Sequence, residues 1–366
     1  MAYTVNQAGF GRLASCMDRA RRGQELTIGF LGGSITQGSL AEKEENTYAY
    51  RVYTWWKKTF PGAEFHYVNA GIGGTTSHYG AARAVTDLLM YQPDFVVVDF
   101  SVNDTPDLFF QETYEGLIRR VLCWNSSPAV VLLGNVYYDT GVTAQEYHSA
   151  VGRRYGLPYI SIRDTVYQRM KEGTYTMEEL TLDGLHPNDR GHGLLADEII
   201  KYLEDVREKT GADKPEKVSE LLMPAPMTEN AYEYAKRLTI RETMPELLGF
   251  RVDPEEKKGH LDAFKNGWIG RRPGDRIRFQ TEASCIAVQY RKSVIHPALS
   301  AKAVLDGDKD HAVLLDGEFE ENWGDCQCLC PLLHHGGYGK HTVELEILPG
   351  SKAEAVPFYL MSLIIS

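Results

Sequence analysis

The sequence is poor in three features that would point to other classes of protein: cysteine, long apolar runs and basic charge. Six cysteines among 366 residues are too few for a disulfide framework. No apolar run reaches the length of a membrane span, and residues 1–24 lack the continuous apolar segment of a signal peptide. A formal net charge of −11 argues against nucleic acid, which is bound by basic surfaces. We therefore expect a cytoplasmic protein without a membrane or nucleic-acid partner, and the oligomeric state stays open.

Three familiar glycine motifs are also missing from the stretch FLGGSITQGS, residues 30–39. A dinucleotide site needs G-x-G-x-x-G and an acid at the end of the second strand, but that strand ends in Asn69. A phosphate loop needs a Gly-Lys-Ser/Thr step, and the α/β-hydrolase elbow needs G-x-S-x-G, whereas residue 36 is threonine. What is present is Ser34 at a predicted strand-to-helix junction, with glycines in front of it.

The length of the chain and its patterning predict two domains. Residues 1–208 alternate apolar runs with segments of helical periodicity. The strand-like runs are ELTIGFLG, EFHYVNAG, DFVVVDFSV, AVVLLGNV and PYISI. Because nearly continuous apolar strands with helices between them are typical of a parallel sheet covered on both faces, the predicted fold class of this part is α/β.

The composition changes after residue 208. Residues 209–245 are rich in Pro, Lys and Glu at their start and predict a linker, with a short helix at ENAYEYAKRL. Residues 246–366 hold short alternating runs separated by turn signals such as RRPGD and DGDKD. This pattern predicts an all-β sandwich or jelly roll.

Two interpretations of Ser34 remain open from these residues. Serines at such junctions commonly cap the following helix. A catalytic serine would need a base, an orienting group and oxyanion donors. The stretch DGLHP supplies Asp183 and His186, spaced so that the carboxylate can accept from Nδ1–H and leave Nε2 facing the serine. Asn103 offers an amide donor, and Gly74 offers a backbone N–H that a substrate can approach closely. Ser34, Gly74 and Asn103 follow predicted strands, whose carboxyl ends bind ligands in open parallel sheets, and DGLHP precedes the last predicted helix.

Four blocks in this order resemble those of the SGNH (GDSL-type) hydrolases. They are GGSIT with Ser34, NAGIGGTTS with Gly74, SVND with Asn103, and DGLHP with Asp183 and His186. The match spans residues 26–200, about half of the chain. The resemblance implies a flavodoxin-like three-layer α/β/α domain and a serine esterase that requires no metal or cofactor.

The resemblance also implies a role for each of these residues. Ser34 would attack an ester carbonyl while His186 takes its proton, and Asp183 would hold the imidazole. The oxyanion hole would consist of the Ser34 and Gly74 backbone N–H groups and the Asn103 amide.

Two positions depart from the family pattern. Gly33 stands where the family usually has an aspartate, and Ser101 stands where it usually has a glycine. The first change removes a carboxylate that would help to order the serine turn, so we expect Asp104 to do more of the local anchoring. These changes bear on the substrate subclass and leave the triad intact.

Six residues around the predicted site are candidate substrate contacts. They are Gly33, His78, Tyr79, Asp104, Tyr137 and Tyr138. The aromatic side chains could stack on a sugar or hydrogen-bond it, and the alternative is that some of the tyrosines simply cover the core.

The C-terminal strands AVLDG and GKHTVELEIL resemble, more weakly, the accessory jelly roll of acetyl-xylan-esterase-type carbohydrate esterases. There the accessory domain usually precedes the catalytic domain, and here it follows. The resemblance favours an esterase that removes acetyl or other short acyl groups from sugars or oligosaccharides, with the sandwich as a binding site or as scaffold. Two alternatives stay open: a lipase, thioesterase or lysophospholipase of the same fold acting on longer acyl chains, and a non-catalytic glycan-binding protein.

The stretch CQCLCPLLHH suggests a metal site through its three cysteines and two histidines. Strand alternation would place Cys326, Cys328 and Cys330 on one face, whereas structural zinc sites commonly use C-x2-C spacing from turns. We therefore predict reduced, buried thiols and no metal.

Overall fold

The computed structural model describes residues 3–4, 7–210, 223–349 and 355–366. The chain forms two compact units, Met1–Glu233 and Tyr234–Ser366. Residues 211–222 of the predicted linker lie outside the described residues. In the described ranges, no helix combines the length and the apolar character needed to cross a lipid bilayer.

The first unit is built on one six-stranded sheet. Its strands are β1 (Tyr3–Thr4), β2 (Glu25–Gly32), β3 (Glu64–Gly71), β4 (Phe95–Asp99), β5 (Ala129–Gly134) and β6 (Tyr159–Ser161). The sheet order is β1-β6-β5-β4-β2-β3, in which β2 to β6 are parallel and β1 pairs antiparallel with β6. Apart from β1, this order is the flavodoxin-like one. The α/β prediction is confirmed. Strands β4, which is apolar except for Asp99, and β5 are buried along their full length.

Helices cover both faces of this sheet. They are α1 (Gln7–Arg21), α2 (Ser34–Gln37), α3 (Tyr48–Thr59), α4 (Ser77–Asp87), α5 (Leu108–Leu122), α6 (Gln145–Tyr155), α7 (Gln168–Lys171) and α8 (Asp189–Lys209). Helices α1, α3 and α8 pack together over one face, and α4, α5 and α6 pack together over the other. The result is the predicted three-layer arrangement. Helix α1 was not predicted from the sequence.

Polar caps fix where the helices near the carboxyl ends of the strands begin. The Asp107 carboxylate accepts the Phe110 N–H at 2.9 Å and starts α5. The Asn188 side chain accepts the N–H groups of Arg190 and Gly191, both at 3.0 Å, and starts α8 directly after the DGLHP loop. Because such caps satisfy otherwise unpaired N–H groups, they set the point at which loop becomes helix.

The second unit is a sandwich of two antiparallel sheets. Its strands are β7 (Lys236–Leu238), β8 (Glu246–Leu248), β9 (Arg251–Val252), β10 (Trp268–Gly270), β11 (Arg276–Ala283), β12 (Ile286–Lys292), β13 (Ala301–Leu305), β14 (Val313–Leu315), β15 (Cys326–Leu333), β16 (Gly339–Ile347) and β17 (Phe358–Ile365). One sheet has the order β15-β12-β17-β10-β9, with β7 also on β17, and the other has the order β14-β13-β16-β11-β8. Trp268 of the first sheet meets Phe279 of the second with ring centroids 5.2 Å apart. The prediction of an all-β second domain is confirmed.

The prediction of a helix at ENAYEYAKRL is wrong. Residues 231–234 form a turn, and the rest of the stretch enters strand β7. The Ala231 N–H donates to the Glu112 carboxylate of α5 at 2.9 Å, and β7 pairs with Leu363–Ile365 of β17. Because tertiary partners take the backbone groups that a helix would pair internally, local helix propensity is overridden here.

Candidate active site

Ser34 is the first residue of α2, the single turn that directly follows β2. The turn closes through Gln37 N–H to Gly33 O and Gly38 N–H to Ser34 O, both at 3.0 Å. Gly38 ends it with φ +103°, a left-handed conformation that favours glycine. Gly32 must also be glycine, since a Cβ there would lie 2.5 Å from the Asp99 carbonyl oxygen. The sequence therefore places Ser34 at the carboxyl end of the sheet, on a tightly packed turn.

The side chains of Ser34, His186 and Asp183 are joined in series. His186 Nε2 lies 2.8 Å from Ser34 Oγ, and His186 Nδ1 lies 2.6 Å from Asp183 Oδ2. With the proton on Nδ1, the imidazole donates to the carboxylate and presents a lone pair to the serine hydroxyl. Ser34 is at least 149 positions away in sequence from Asp183 and His186. The structure brings the three side chains together with the geometry of a base-activated nucleophile.

The loop that carries His186 is closed by backbone pairing. Thr181 and Pro187 form an antiparallel bridge across its base, and Gly184 has φ +78° at its tip. The Tyr138 N–H donates to the Gly184 carbonyl at 2.7 Å, which ties this loop to the one after β5. His186 is therefore held from two neighbouring elements of the same unit.

Hydrogen bonds keep the Asp183 carboxylate ionised. Its partial burial raises its pKa, but the bond from the His186 ring and the N–H groups of Leu185 and His186 outweigh that effect and lower the pKa to about 2. The two backbone bonds measure 2.9 and 2.8 Å and go to Oδ1, which leaves Oδ2 for the ring. Asp183 is thus an acceptor at any pH at which the imidazole can act as a base.

The predicted oxyanion residues Gly74 and Asn103 lie in turns that adjoin the serine turn. Gly74 has φ +66°, and its neighbour Gly73 donates its N–H to Gln37 Oε1 of the serine turn at 2.6 Å. Asn103 lies over Gly33, so closely that a Cβ on Gly33 would overlap Asn103 Oδ1 and lie 3.0 Å from Asn103 Cγ. The glycine in place of the usual aspartate therefore makes room for the Asn103 amide.

Ser101, the second departure from the family pattern, is part of a buried polar network. The Asn135 N–H donates to Ser101 Oγ at 2.7 Å, and Ser101 Oγ donates to Asp99 Oδ1 at 3.0 Å. Asn135 Nδ2 donates to the other Asp99 oxygen at 2.7 Å. Burial raises the pKa of Asp99, while these hydrogen bonds oppose that rise. The serine hydroxyl thus links the turn after β4 to the turn after β5.

Four of the candidate substrate contacts are buried, which corrects the expectation for them. His78, Tyr79, Asp104 and Tyr138 are each at most 5% exposed. Tyr79 lies under the Arg83 guanidinium, with 5.4 Å from Cζ to the ring centroid, and Asp104 accepts hydrogen bonds from the Ser77 N–H and the His148 ring. They are core or supporting residues: His78 and Tyr79 lie on α4, which packs against the sheet, and Asp104 and Tyr138 lie in the buried turns after β4 and β5. Tyr137 stays partly exposed, and Gly33 adjoins Ser34.

Sequence reasoning missed the roles of two buried histidines. His148 donates to Asp104 at 3.0 Å, and His192 stacks on Tyr48 with its Nδ1 3.3 Å from the Tyr48 N–H. Burial lowers the pKa of His192 to about 4, so this ring is neutral. The partners lie 44 and 144 positions away in sequence. No local spacing pattern could have connected them.

The three clustered cysteines lie on β15 in the second unit. Cys328 and Cys330 pack against the core of the sandwich, and burial raises the pKa of Cys326 to about 12. Thiols with raised pKa values are protonated near neutral pH and are poor metal ligands and nucleophiles. All six cysteines are free.

The strand order and the position of the Ser34–His186–Asp183 hydrogen bonds at the carboxyl ends of the strands define an SGNH-type hydrolase fold and site. Residues 30–194 match the model of the GDSL-like lipase/acylhydrolase family. A two-domain esterase (CEX) active on acetylated mannans is 47% identical to this chain, and two of its crystal structures are similar to it. The structure with mannopentaose has a TM-score of 0.92 and covers 97% of this chain and 94% of that one. The structure without the sugar has a TM-score of 0.93, with 97% and 95% covered.

A curated relative is more distant. Thioesterase 1/protease 1/lysophospholipase L1 of Escherichia coli (strain K12) is 27% identical over 150 residues, which are 37% of this chain. The chain spans 66% of the length of that relative. From these comparisons, the chain belongs to the GDSL-like lipase/acylhydrolase family and is a carboxylic ester hydrolase.

Proposed function

We propose that this protein is a serine O-acetylesterase that removes acetyl groups from sugars in mannan-type oligosaccharides. The observation that carries the proposal is the series of hydrogen bonds from Ser34 Oγ through His186 to Asp183, at 2.8 and 2.6 Å. The choice of acetyl group and sugar is supported by the 47% identical esterase, which is active on acetylated mannans and was crystallised with mannopentaose. This relative covers almost the whole chain, including the second unit.

In the acylation step, His186 Nε2 accepts the Ser34 Oγ proton while Oγ attacks the acetyl carbonyl carbon. The carbonyl oxygen becomes an oxyanion, which accepts hydrogen bonds from the N–H groups of Ser34 and Gly74 and from the Asn103 amide. Asp183 stabilises the imidazolium that forms and holds its orientation. When the tetrahedral intermediate collapses, the C–O bond to the sugar breaks and His186 protonates the leaving sugar oxygen.

Deacylation repeats these steps with water. His186 Nε2 takes a proton from the water as its oxygen attacks the acetyl carbonyl, and the same donors hold the second oxyanion. Collapse breaks the bond to Ser34 Oγ, which recovers a proton from His186, and acetate leaves. The proposed cycle draws on no metal or cofactor.

A longer acyl chain is the second candidate. It is favoured by the curated relative, whose name includes thioesterase and lysophospholipase activities. That relative matches 37% of this chain at 27% identity, whereas the acetylated-mannan esterase matches 97% at 47% identity. We therefore prefer the acetyl-sugar proposal.

The substrate part of the proposal is tested with a panel of esters. Release of acetate from acetylated mannooligosaccharides is compared with hydrolysis of p-nitrophenyl esters of increasing acyl length. We expect kcat/KM to be highest for acetyl esters and to rise further when the alcohol is a mannosyl unit. A preference for acyl chains of eight or more carbons would overturn the acetyl-sugar proposal and support the second candidate.

The catalytic part is tested by Ser34→Ala. We expect kcat to fall by about 10⁴-fold or more, because the nucleophile is lost. The matched control is Ser149→Ala, a serine whose Oγ donates to the Glu146 carbonyl and accepts from Arg153, both within α6. Hydrolysis at the wild-type rate by the Ser34 variant would remove Ser34 from the mechanism.

A further inference from the structure

Asp104 is a buried carboxylate that connects three segments of the first unit. Its Oδ1 accepts the N–H of Ser77, the first residue of α4, at 2.8 Å. Its Oδ2 accepts from Nε2 of His148 in α6 at 3.0 Å. The side chains of Asp104 and His148 are both 0% exposed. Since a buried carboxylate is stable only when donors satisfy it, these two bonds determine where Asp104 lies.

The His148 ring is held in one orientation. It stacks on Tyr114 of α5, with ring centroids 3.7 Å apart and an angle of 3° between the planes. Its Nδ1 is buried and has no hydrogen-bond partner in the part of the chain that the structure describes. A proton on Nδ1 would be buried there without an acceptor, so the tautomer that fits carries its proton on Nε2. His148 thus donates one hydrogen bond of fixed direction to Asp104.

These bonds span the two turns that carry the proposed oxyanion donors. Asn103 directly precedes Asp104, and the N–H groups of both donate to the Phe100 carbonyl, at 3.0 and 2.9 Å. Gly74 lies three residues before Ser77 in the turn that leads into α4. In the sheet, β2 lies between β3 and β4, from which these two turns emerge. The Asp104–Ser77 bond therefore connects the two turns directly, across the end of β2, the strand that leads to Ser34.

We propose that Asp104 and His148 are positioning residues of the oxyanion hole, which hold the Gly74 N–H and the Asn103 amide at the spacing that the tetrahedral oxyanion requires. The proposal rests on the esterase function proposed above. Both side chains are buried, so they act through the turns and not by touching substrate. Oxyanion donors act mainly in the transition state, so their displacement lowers kcat and leaves KM nearly unchanged.

The test measures kcat and KM of His148→Met, His148→Gln and Asp104→Asn on a chromogenic acetate ester. We expect His148→Met to lower kcat by about 10- to 100-fold with KM within about twofold, since small displacements of such donors have effects of this size. His148→Gln should recover most of this loss, because its amide nitrogen can donate from nearly the position of Nε2. In an Asn103→Ala background, the loss from His148→Met should be clearly smaller, because one of the two donors that it positions is already gone.

The control for a merely structural effect is Glu115→Gln. Glu115 is a fully buried carboxylate of α5 that accepts from Tyr155 Oη at 2.5 Å and from the Met227 and Thr228 N–H groups at 2.7 and 2.8 Å. It bonds to neither oxyanion turn. Its replacement should lower the unfolding temperature and leave kcat unchanged in assays below that temperature.

Two results would overturn the positioning role. One is a kcat within twofold of wild type for folded His148→Met and Asp104→Asn. The other is an equal loss from His148→Met with and without Asn103. If His148→Met does not fold, the same two criteria are applied to Asp104→Asn, because this change keeps the size of the side chain. Failure of the esterase proposal itself is recognised separately, by wild-type hydrolysis in Ser34→Ala.

Discussion

The side chain of Asn103 occupies the space above Gly33 that a β-carbon would need. A Cβ built on Gly33 overlaps Asn103 Oδ1 and lies 3.0 Å from Asn103 Cγ. The residue that departs from the usual family pattern and the proposed oxyanion amide are therefore structurally dependent on each other. Any side chain at position 33 requires either the backbone at position 33 or the Asn103 side chain to move.

Gly33→Ala should therefore lower kcat by about 10- to 100-fold, because the Asn103 amide must move away from the oxyanion. The measurement is kcat and KM on a chromogenic acetate ester, with KM expected to change little. Gly62→Ala is the control, since a Cβ there has no neighbour within 4 Å. An unchanged kcat in Gly33→Ala would show that Asn103 accommodates the methyl group and that its present position is not required.

Because the pKa of Asp183 is lowered in the folded protein, we expect the stability of the protein to depend on pH. Its pKa is lowered in the folded protein from the ordinary value of 3.8 to about 2. A depressed carboxyl pKa stabilises the folded state above the unfolded pKa, and this stabilisation is lost as the pH falls from about 4 to about 2. Because the Asp183 side chain is 44% exposed, solvent screening limits the contribution to about 1 kcal/mol.

The measurement is urea-induced unfolding of wild type and Asp183→Asn between pH 6 and pH 2.5. The difference in the free energy of unfolding between them should shrink by about 1 kcal/mol on acidification across that range. At neutral pH the same variant should lose about 10⁴-fold in kcat, since the imidazole is no longer held in the required tautomer. A difference in stability that stays constant with pH would contradict the Asp183 assignment.

Replacement of Gly116 should change the stability of the protein and leave its catalytic rate unchanged. It lies within α5, where a Cβ would come within 2.7 Å of the Glu233 nitrogen and the Tyr232 carbonyl carbon. Alanine is the better helix former by about 1 kcal/mol, but overpacking against backbone typically costs about 1–3 kcal/mol. We expect Gly116→Ala to lower the free energy of unfolding, with kcat unchanged.

Gly11→Ala is the matched comparison, because Gly11 lies in α1 and a Cβ there has no neighbour within 4 Å. It should raise the free energy of unfolding by up to about 1 kcal/mol. Both values come from chemical denaturation of the full chain. Changes of the same sign in the two variants would show that the close approach of residues 232–233 to α5 is not what makes Gly116 necessary.

Local sequence patterns were sufficient for most of the fold. Strands β2 to β6 and β11 to β17 coincide with apolar or alternating runs, because burial on one or both faces imposes that pattern directly. Helix α1 and the short strands β7 to β10 were missed. Short strands carry too few residues to show a period, and β7 lies in a stretch whose letters favour a helix.

Ser34, Gly74 and Asn103 could be proposed from sequence because each stands in a short block placed after a predicted strand. Asp183 and His186 could be proposed because they stand together in the block before the last predicted helix. Their meeting at one edge follows from the topology of a parallel sheet. The substrate contacts could not be found in the same way. Whether Tyr79 or Tyr138 faces solvent depends on how helices and loops from distant parts of the chain pack around it.

The sequence alone was thus enough to propose the chemistry, because Ser34, Asp183 and His186 stand in short blocks that suggest a nucleophile, a carboxylate and a base. Only the tertiary structure showed which buried residues hold these groups in place. The pairing of Asp104 with His148, the network of Asp99, Ser101 and Asn135, and the fit of Asn103 over Gly33 join residues that local periodicity cannot relate. The physical reason is that buried polar groups need specific partners, and the fold brings those partners from different strands and helices.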